Sequence, residues 1–329
     1  MSRTRGMVLG KFLPPHLGHV HLIETAQHFV DELDVVVGTL AREPIPGALR
    51  HAWMSELFPR ARVLHLDEEL PQDPSEHPRF WDLWRESLRR VLAPHLPTHV
   101  FASEAYGHRL AEELGARFVP VDPSRVAVPV SGTAIREDPL AHWDRLPRCV
   151  RPYFTKRVCV FGPESTGKST LTKNLAAHFR TAFVPEYART WLETFGTDAV
   201  REEDLPLIAK GQLASEAALA RNARGVLICD TDPLLTTVWS EALFGRVDPA
   251  LAALADAHDY DLYLLTDVDV PFVPDAVRYL PDERRSFFAR CVEALERRGR
   301  RHVVIGGPDF EARTRRAVSA IDALLARRG

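Results

Sequence analysis

Cysteine is scarce in this chain, and the few cysteines show no metal-binding or disulfide pattern. They stand apart from one another, without a CxxC pair or a histidine ladder nearby, at Cys149, Cys159, Cys229 and Cys291. Zinc binding and a disulfide framework are therefore not expected. A reducing environment such as the cytoplasm fits this cysteine usage best.

Long apolar runs and a large excess of one charge are also missing. No apolar run approaches the roughly 20 residues of a membrane-spanning helix, and the start MSRTRGMVLGKF does not resemble a signal peptide. A formal net charge of −3 does not favour general binding to nucleic acid or anionic membranes. We expect a cytoplasmic protein with no membrane insertion and no nucleic-acid partner. A homo-oligomer is compatible with the sequence, which leaves the oligomeric state open.

The length of 329 residues favours two folded domains. In both halves, β-branched runs alternate with helix-length stretches, which is typical of α/β folds with parallel sheets. The predicted strands of the first half are Met7–Leu9, Leu33–Leu40, Arg62–Leu66, Thr98–Ser103 and Ala116–Val121. Those of the second half are Lys156–Gly162, Ala182–Glu186, Gly225–Asp230, Tyr260–Thr266 and Arg301–Gly307. We predict two Rossmann-like domains over residues 1–150 and 151–329.

The stretch GPESTGKST, from Gly162 to Thr170, matches the phosphate-loop pattern G-x-x-x-x-G-K-[ST]. An apolar strand precedes it and a helix-like segment follows, as this loop requires. Lys168 is expected to reach the β and γ phosphates of ATP, and Ser169 to ligate Mg²⁺ at the helix N-terminus. An ordinary glycine turn is the alternative. The predicted ATP-binding residues here are Gly162, Ser165, Thr166, Gly167, Lys168, Ser169 and Thr170.

Acidic residues follow the later strands of the same half. Asp230, with Asp232 two residues on, ends the strand VLICD, where a carboxylate would organise Mg²⁺. Glu186 ends the strand after the phosphate loop, where it would hold a substrate hydroxyl and accept its proton. The alternative for each acid is a helix cap or a solvated loop residue.

The segment VRYLPDERR concentrates Arg278, Arg284 and Arg285 between the last two strands. In small phosphate-loop kinases a lid in this interval carries arginines that neutralise the transferring phosphoryl group. Arg278 and Arg284 are therefore predicted to bind ATP. The alternative is a solvated helix face.

A second motif, GKFLPPHLGH, directly follows the first strand. His16 and His19 lie three residues apart at a helix start, so they share a face. The helix dipole, backbone N–H groups and ring donors can then act on one polyphosphate. No protein nucleophile is needed if a phosphate of the second substrate attacks ATP. The protein then contributes to catalysis by positioning the substrates and stabilising the charge on the phosphates. A fortuitous pair of histidines is the alternative; the motif also includes Gly10, Lys11, Phe12 and Gly18.

The segment VSGTAIRE is the expected partner of this motif. Ser131 and Thr133 are predicted to cap a helix whose N-terminus also faces phosphate, with Arg136 one turn inside it. Alone it is a common capping signature. Its position about 110 residues after the histidine motif, behind a fourth strand, gives it weight.

Together these residues resemble the nucleotidyltransferase superfamily, whose HxGH and ISSTxxR motifs are written HLGH and VSGTAIR here. Joined to a phosphate-loop kinase in this order, they are similar to the bifunctional NadR-type proteins of NAD salvage. The resemblance covers nearly the whole chain and includes PIPGALRHAWMSELFP, FASEAYG, PEYAR and CDTD. It implies an HxGH nucleotidyltransferase domain followed by a phosphate-loop kinase domain.

The resemblance also implies roles for individual residues. His16, His19 and Arg136 would stabilise the ATP phosphates during adenylyl transfer, assisted by Lys11. Trp53 or Trp81 would stack on nicotinamide, unless both belong to the core. In the kinase half, catalysis would rest on Lys168, Glu186 and Asp230, with Ser169 and Asp230 on Mg²⁺. The substrate would contact Glu186, Tyr187 and Arg189.

The implied function is two successive steps of NAD salvage. The kinase half would phosphorylate nicotinamide riboside with ATP to give NMN. The first half would join NMN to AMP from a second ATP, giving NAD and pyrophosphate. A transferase–kinase fusion with another acceptor, or a nucleotide sensor with little turnover, are the alternatives.

Two departures from the family pattern limit these expectations. Repressor members carry a helix-turn-helix domain in front, whereas only Met1–Arg5 precede the first strand here, so DNA binding is not implied. The lid segment also lacks the glycine expected near Ala276. That absence leaves the roles of its arginines open.

Overall fold

The computed structural model of the chain describes residues 3–197, 200–270, 283–307 and 309–326. The chain divides into two compact units, Met1–Val150 and Arg151–Gly329. Within the described residues, each unit is built on a parallel five-stranded sheet with helices against it. This architecture confirms the predicted fold class.

The first unit has the sheet order β3-β2-β1-β4-β5, with all neighbouring strands parallel. Its strands are β1 (Arg5–Gly10), β2 (Glu32–Thr39), β3 (Arg62–Asp67), β4 (His99–Ala102) and β5 (Arg117–Pro120). The chain runs outward from β1 to β3 and then returns to the other side of β1. Ligands of open α/β sheets bind in the crevice where the strand order reverses in this way.

Helices cover both faces of the first sheet. They are α1 (Leu17–Phe29), α2 (Gly47–Leu57), α3 (Phe80–Leu92), α4 (Tyr106–Leu114) and α5 (Gly132–Glu137), with short 3₁₀ helices at Pro74–Glu76 and Trp143–Arg145. The strand ELDVVVGT is buried from Leu33 to Thr39, as expected for a strand with a hydrophobic core on each side. Because helices cover both faces of the sheet, a ligand can reach it only at the strand ends and the loops that follow them.

The second unit has the order β10-β9-β6-β8-β7, again parallel throughout. Its strands are β6 (Lys156–Phe161), β7 (Phe183–Val184), β8 (Val226–Asp230), β9 (Leu262–Thr266) and β10 (His302–Ile305). The edge strand β7 is shorter than the predicted strand over 182–186. Among the described strands it pairs only with β8, and the chain turns into a helix directly after Glu186.

The helices of the second unit also cover both faces of its sheet. They are α6 (Arg151–Phe154), α7 (Lys168–Phe179), α8 (Tyr187–Phe195), α9 (Leu205–Ala220), α10 (Pro233–Phe244), α11 (Pro249–Ala257), α12 (Arg284–Arg297) and α13 (Phe310–Leu325), with a 3₁₀ helix at Glu202–Asp204. In the described part of the chain, no helix has the length and apolar character needed to cross a membrane.

Candidate functional site

The first unit contains a cavity of about 910 Å³ at the carboxyl ends of its strands. Residues that end or follow each of the five strands line it. The structure thus brings together the two predicted motifs, which are more than 100 residues apart in sequence. The predicted site residues that line this cavity are Gly10, Lys11, Phe12, His16, Gly18, His19, Trp81, Ser131, Thr133 and Arg136.

The two histidines of the first motif form the N-terminal cap of α1. His16 is the N-cap residue, and its Nδ1 accepts a hydrogen bond from the His19 backbone N–H at 3.4 Å. In return, His19 Nδ1 accepts from the His16 backbone N–H at 3.2 Å. The rings stack with centroids 3.6 Å apart. Gly18 permits this packing, because a Cβ there would lie 3.0 Å from the His16 ring.

The surroundings of both imidazoles lower their pKa values and so favour the neutral rings. Burial, reinforced by the Arg125 guanidinium, lowers the pKa of His16 to about 4. Burial also lowers the pKa of His19 well below its usual range, and His16 and Arg125 add to this shift. A neutral ring whose Nδ1 accepts a hydrogen bond carries its proton on Nε2. Each ring therefore presents an Nε2–H donor on the edge away from the cap.

The helix α5 brings the second motif against the first. Ser131 is its N-cap residue and accepts a hydrogen bond from the Ala134 N–H at 3.2 Å. Arg136 donates to the Leu13 carbonyl and to the Thr133 hydroxyl, so Thr133 supports Arg136 instead of capping the helix. Gly132 is required by close approach, because a Cβ there would lie 2.5 Å from the Leu13 oxygen.

Lys11 is held at the rim of the cavity by an acidic partner. Its Nζ lies 3.1 Å from a Glu43 carboxylate oxygen. The fully buried Arg50 donates to the same carboxylate at 2.5 Å and to the Lys11 carbonyl, also at 2.5 Å. Arg50 belongs to the segment PIPGALRHAWMSELFP, whose structural role the residue pattern alone did not predict.

The structure distinguishes the two tryptophans that were considered for stacking. Trp53 is 6% exposed in α2 and is not among the residues that line the cavity. Trp81 lines it, with the Arg109 guanidinium carbon 5.8 Å from its ring centroid. Trp84 lines it as well and donates from Nε1 to the Pro71 carbonyl at 2.9 Å. The helical spacing of Trp81 and Trp84 could have indicated a shared face.

A cationic residue that the motifs do not include also lines this cavity. Arg125 acts on both histidines electrostatically and pairs with Glu104 at 3.2 Å. The Asp122 carboxylate shapes its loop by accepting backbone N–H groups of residues 126–128 at 2.8–3.3 Å. Arg125 is more than 100 residues from the two histidines in the sequence, and only the folding of the chain brings them together. Its position in the sequence therefore does not indicate this interaction.

The phosphate loop of the second unit spans the end of β6 and the start of α7. Gly162 adopts φ 136°, and a Cβ there would lie 2.6 Å from the Thr266 hydroxyl. The Thr166 hydroxyl donates to the Pro163 carbonyl at 2.7 Å, so this side chain holds the shape of the loop. Lys168 Nζ donates to the same carbonyl at 2.9 Å. Ser165, Gly167, Lys168, Ser169 and Thr170 line a cavity of about 160 Å³.

The two acids predicted to be catalytic, Glu186 and Asp230, lie beside the phosphate loop and influence each other electrostatically. Burial, followed by the nearby Glu186 carboxylate, raises the pKa of Asp230 to about 6, against the effects of Lys168, a Ser169 hydrogen bond and Arg189. Asp230 Oδ1 is buried and has no hydrogen-bond partner among the described residues. An orphaned carboxylate oxygen beside a serine hydroxyl suits the oxygen coordination that Mg²⁺ prefers. The donor set therefore fits this ion.

The other acid near β8 has a structural role. Asp232 is the N-cap of α10 and accepts from the Leu235 N–H at 2.8 Å. Its second oxygen accepts from the Tyr263 hydroxyl at 3.0 Å. The helix-cap alternative therefore describes Asp232, whereas Asp230 has no such role.

The residues predicted to bind the kinase substrate are divided by the fold. Glu186 and Arg189 line the cavity of the second unit. The ring of Tyr187 instead packs over Gly211, where a Cβ would lie 2.2 Å from a ring atom. An apolar part of the same cavity, which the motifs did not predict, is formed by Leu192, Val200, Leu205, Ile208, Leu235, Trp239 and Leu243.

The arginines of the lid segment are only partly described. Arg278 lies outside the described residues. Arg284 begins α12 and donates to the Val270 carbonyl at 3.0 Å and to the Ser165 carbonyl of the phosphate loop at 3.2 Å. Arg285 is exposed. Arg284 therefore lies beside the phosphate loop, and its predicted contact with ATP stays a prediction.

Comparisons with known proteins show what the chain as a whole is similar to. A profile described as an AAA domain matches residues 157–313. The chain is 31% identical to the trifunctional NAD biosynthesis/regulator protein NadR of Escherichia coli K12, covering 97% of this chain and 83% of that protein. A crystal structure of NadR in complex with NR has 24% identity and a TM-score of 0.80. A second, in complex with NAD and AMP-PNP, has 25% identity and a TM-score of 0.77. In both cases 99% of this chain and 97% of the other are covered.

Proposed function

Because the chain belongs to the NadR family, we propose that it carries out the last two steps of NAD salvage from nicotinamide riboside. As a member of this family it is an enzyme of NAD biosynthesis with transferase activities. In our proposal the second unit makes NMN and the first unit converts NMN to NAD. One observation supports this division best: each unit has its own cavity, one with a pair of neutral histidines and one with a phosphate loop.

The second unit would catalyse phosphoryl transfer from ATP. The 5′-hydroxyl oxygen of the riboside attacks the γ phosphorus and forms a new P–O bond. The bond from that phosphorus to the β,γ-bridging oxygen breaks, and ADP leaves with the electron pair. Glu186, at the cavity wall, would orient the hydroxyl and accept its proton.

The residues around the phosphate loop would bind the charged part of the substrate. Lys168 would turn from the Pro163 carbonyl to the β and γ phosphates. The Ser169 hydroxyl and the Asp230 carboxylate would hold Mg²⁺, which neutralises phosphate charge when it is bound. Trp239 lines the apolar part of the cavity and would give the nicotinamide ring a stacking surface.

The first unit would catalyse adenylyl transfer. A phosphate oxygen of NMN attacks the α phosphorus of ATP, the bond to the α,β-bridging oxygen breaks, and pyrophosphate leaves. The Nε2–H groups of His16 and His19 would donate to the phosphates, with the N-termini of α1 and α5 directed at the same anion. Arg136 would add a positive charge. Neutral rings suit this role, because Nδ1 can accept the backbone N–H of the cap while Nε2–H donates to a phosphate.

A substrate panel tests the proposal. The protein is incubated with Mg²⁺, ATP and either nicotinamide riboside or one of several other nucleosides, and NMN, NAD, ADP and pyrophosphate are followed over time. We expect riboside to give NMN and then NAD. Preference for another nucleoside would show a different acceptor, and binding without turnover of any nucleoside or of NMN would show a sensor.

A further inference from the structure

The side chain of Gln212 connects the two sides of the kinase cavity. Gln212 lies on α9 and is 3% exposed. Its Oε1 accepts from the Tyr187 N–H at 2.8 Å. Its Nε2 donates to the carbonyls of Asp230 and Thr231 at 3.3 and 3.5 Å. The partners fix the orientation of the amide, since an N–H needs an acceptor and carbonyls need a donor.

On one side of the cavity, Gln212 accepts a hydrogen bond from a backbone N–H at the start of α8. The first N–H groups of a helix have no partner within the helix. Glu186, the N-cap residue of α8, makes no capping hydrogen bond through its side chain in the described structure. Gln212 supplies the missing acceptor for Tyr187, the next residue. The Tyr187 ring also packs over Gly211, so two consecutive residues of α9 hold the start of α8.

On the other side, Gln212 holds the end of β8. Thr231 has φ 71°, a conformation that β-branched residues rarely adopt. Such a conformation persists only where surrounding contacts hold it. Gln212 bonds the carbonyl of Thr231 and that of the preceding Asp230, so the strand end is fixed at the metal-binding carboxylate.

We propose that Gln212 is a positioning residue for phosphoryl transfer that fixes Glu186 relative to Asp230. This inference rests on the proposed function, in which these carboxylates orient the acceptor and hold Mg²⁺. A neutral amide with one acceptor and two donor hydrogens can hold both backbone segments without adding charge beside the two carboxylates.

The test compares Gln212→Met and Gln212→Glu with a control on the solvent side of the same helix, Lys210→Met. Methionine has a similar size but makes neither bond. Ionised glutamate keeps the acceptor for Tyr187 and loses the donor for the two carbonyls. We expect kcat for riboside phosphorylation to fall roughly 10- to 100-fold in both Gln212 variants, since small misplacements of reacting groups cost that much. The KM values for ATP and riboside should change by less than about threefold, as expected when positioning and not binding is lost.

Hydrogen exchange at the Tyr187 amide distinguishes the two variants. Protection should fall in Gln212→Met and persist in Gln212→Glu and Lys210→Met. A kcat of Gln212→Met within about twofold of wild type would overturn the proposal. If wild type does not phosphorylate riboside, the proposed function fails separately. Equal Tyr187 protection in wild type and Gln212→Met would then overturn the bridge itself.

Discussion

His16 and His19 each accept, at Nδ1, a hydrogen bond from the backbone N–H of the other, at 3.4 and 3.2 Å. This reciprocal cap assigns the two nitrogens of each ring to different tasks. Nδ1 holds the helix start, and Nε2 carries the proton that can meet a phosphate. Structure and proposed chemistry can therefore be separated by substitutions that replace one nitrogen but not the other.

The first prediction concerns His19→Asn and His19→Ala. The asparagine oxygen can replace Nδ1 as the acceptor, but it provides no donor at the position of Nε2. We expect kcat/KM for NMN adenylylation to fall roughly 100-fold or more in both variants, as when one oxyanion donor is removed. Only His19→Ala should also lower the melting temperature. Unchanged adenylylation in His19→Asn would show that Nε2 has no role.

The second prediction concerns the contact between the two motifs of the first unit. In Gly132→Ala the new Cβ would meet the Leu13 oxygen at 2.5 Å, so α5 and Arg136 must shift. We expect NMN adenylylation to fall roughly 10- to 100-fold and riboside phosphorylation to stay unchanged. The control is Gly115→Ala, at φ 69° with no atom within 4 Å, which strains the backbone without making a contact. If the control lowers adenylylation as much, a general loss of stability in the first unit and not the contact with Leu13 is responsible.

The third prediction separates the tryptophans by steady-state kinetics and melting. Trp81→Leu removes an aromatic surface from the cavity, so KM for NMN should rise roughly 2- to 12-fold, the equivalent of about 0.5–1.5 kcal/mol for an aromatic contact. Trp53→Leu should instead destabilise the unit by about 2–5 kcal/mol, since this side chain is buried. A KM effect confined to Trp53→Leu would reverse the assignment.

The fourth prediction concerns the pH dependence of stability in the second unit. The pKa of Asp230 is raised from 3.8 to about 6, by burial first and then by Glu186. Because the folded protein favours the protonated Asp230 carboxyl, this residue does not destabilise the fold below pH 3.8. The free energy of unfolding then falls as the pH rises from 3.8 to about 6. Without Mg²⁺, Asp230→Asn should therefore melt higher than wild type at pH 7.5, with a smaller difference at pH 5. Its kinase activity should fall at least roughly 100-fold. A lower melting temperature at pH 7.5 would contradict the raised pKa.

The sequence was sufficient to predict the alternation of strands and helices and the ends of most strands. β-branched runs such as DVVV are buried on both faces, so their hydrophobicity marks them clearly. The prediction was least accurate for β7, where AFVPE suggested a strand over 182–186 but only Phe183–Val184 pair with β8. The length of an edge strand depends on how far the neighbouring strand extends, and the local amino-acid composition contains no information about that strand.

The motif residues were predictable because their spacing follows from local geometry. Loop glycines, helix caps and residues one turn apart are set within a few positions of one another. Gln212 and Arg125 reach their partners across the fold, so a single sequence gives no sign of their contacts. The sequence placed Asp230 at the strand end and assigned it to Mg²⁺, but it did not show what Asp232 does two residues later. Only the structure shows that one caps a helix while the other keeps an unpartnered oxygen among the described residues.

The central claim is that one chain contains two separate active sites linked by NMN. The most direct test gives nicotinamide riboside, ATP and Mg²⁺ to Lys168→Ala, to His19→Ala and to a mixture of the two. We predict that Lys168→Ala leaves the riboside unused, that His19→Ala stops at NMN, and that the mixture makes NAD. NAD formation at the wild-type rate by either variant alone, or a mixture that makes none while wild type does, would contradict the account.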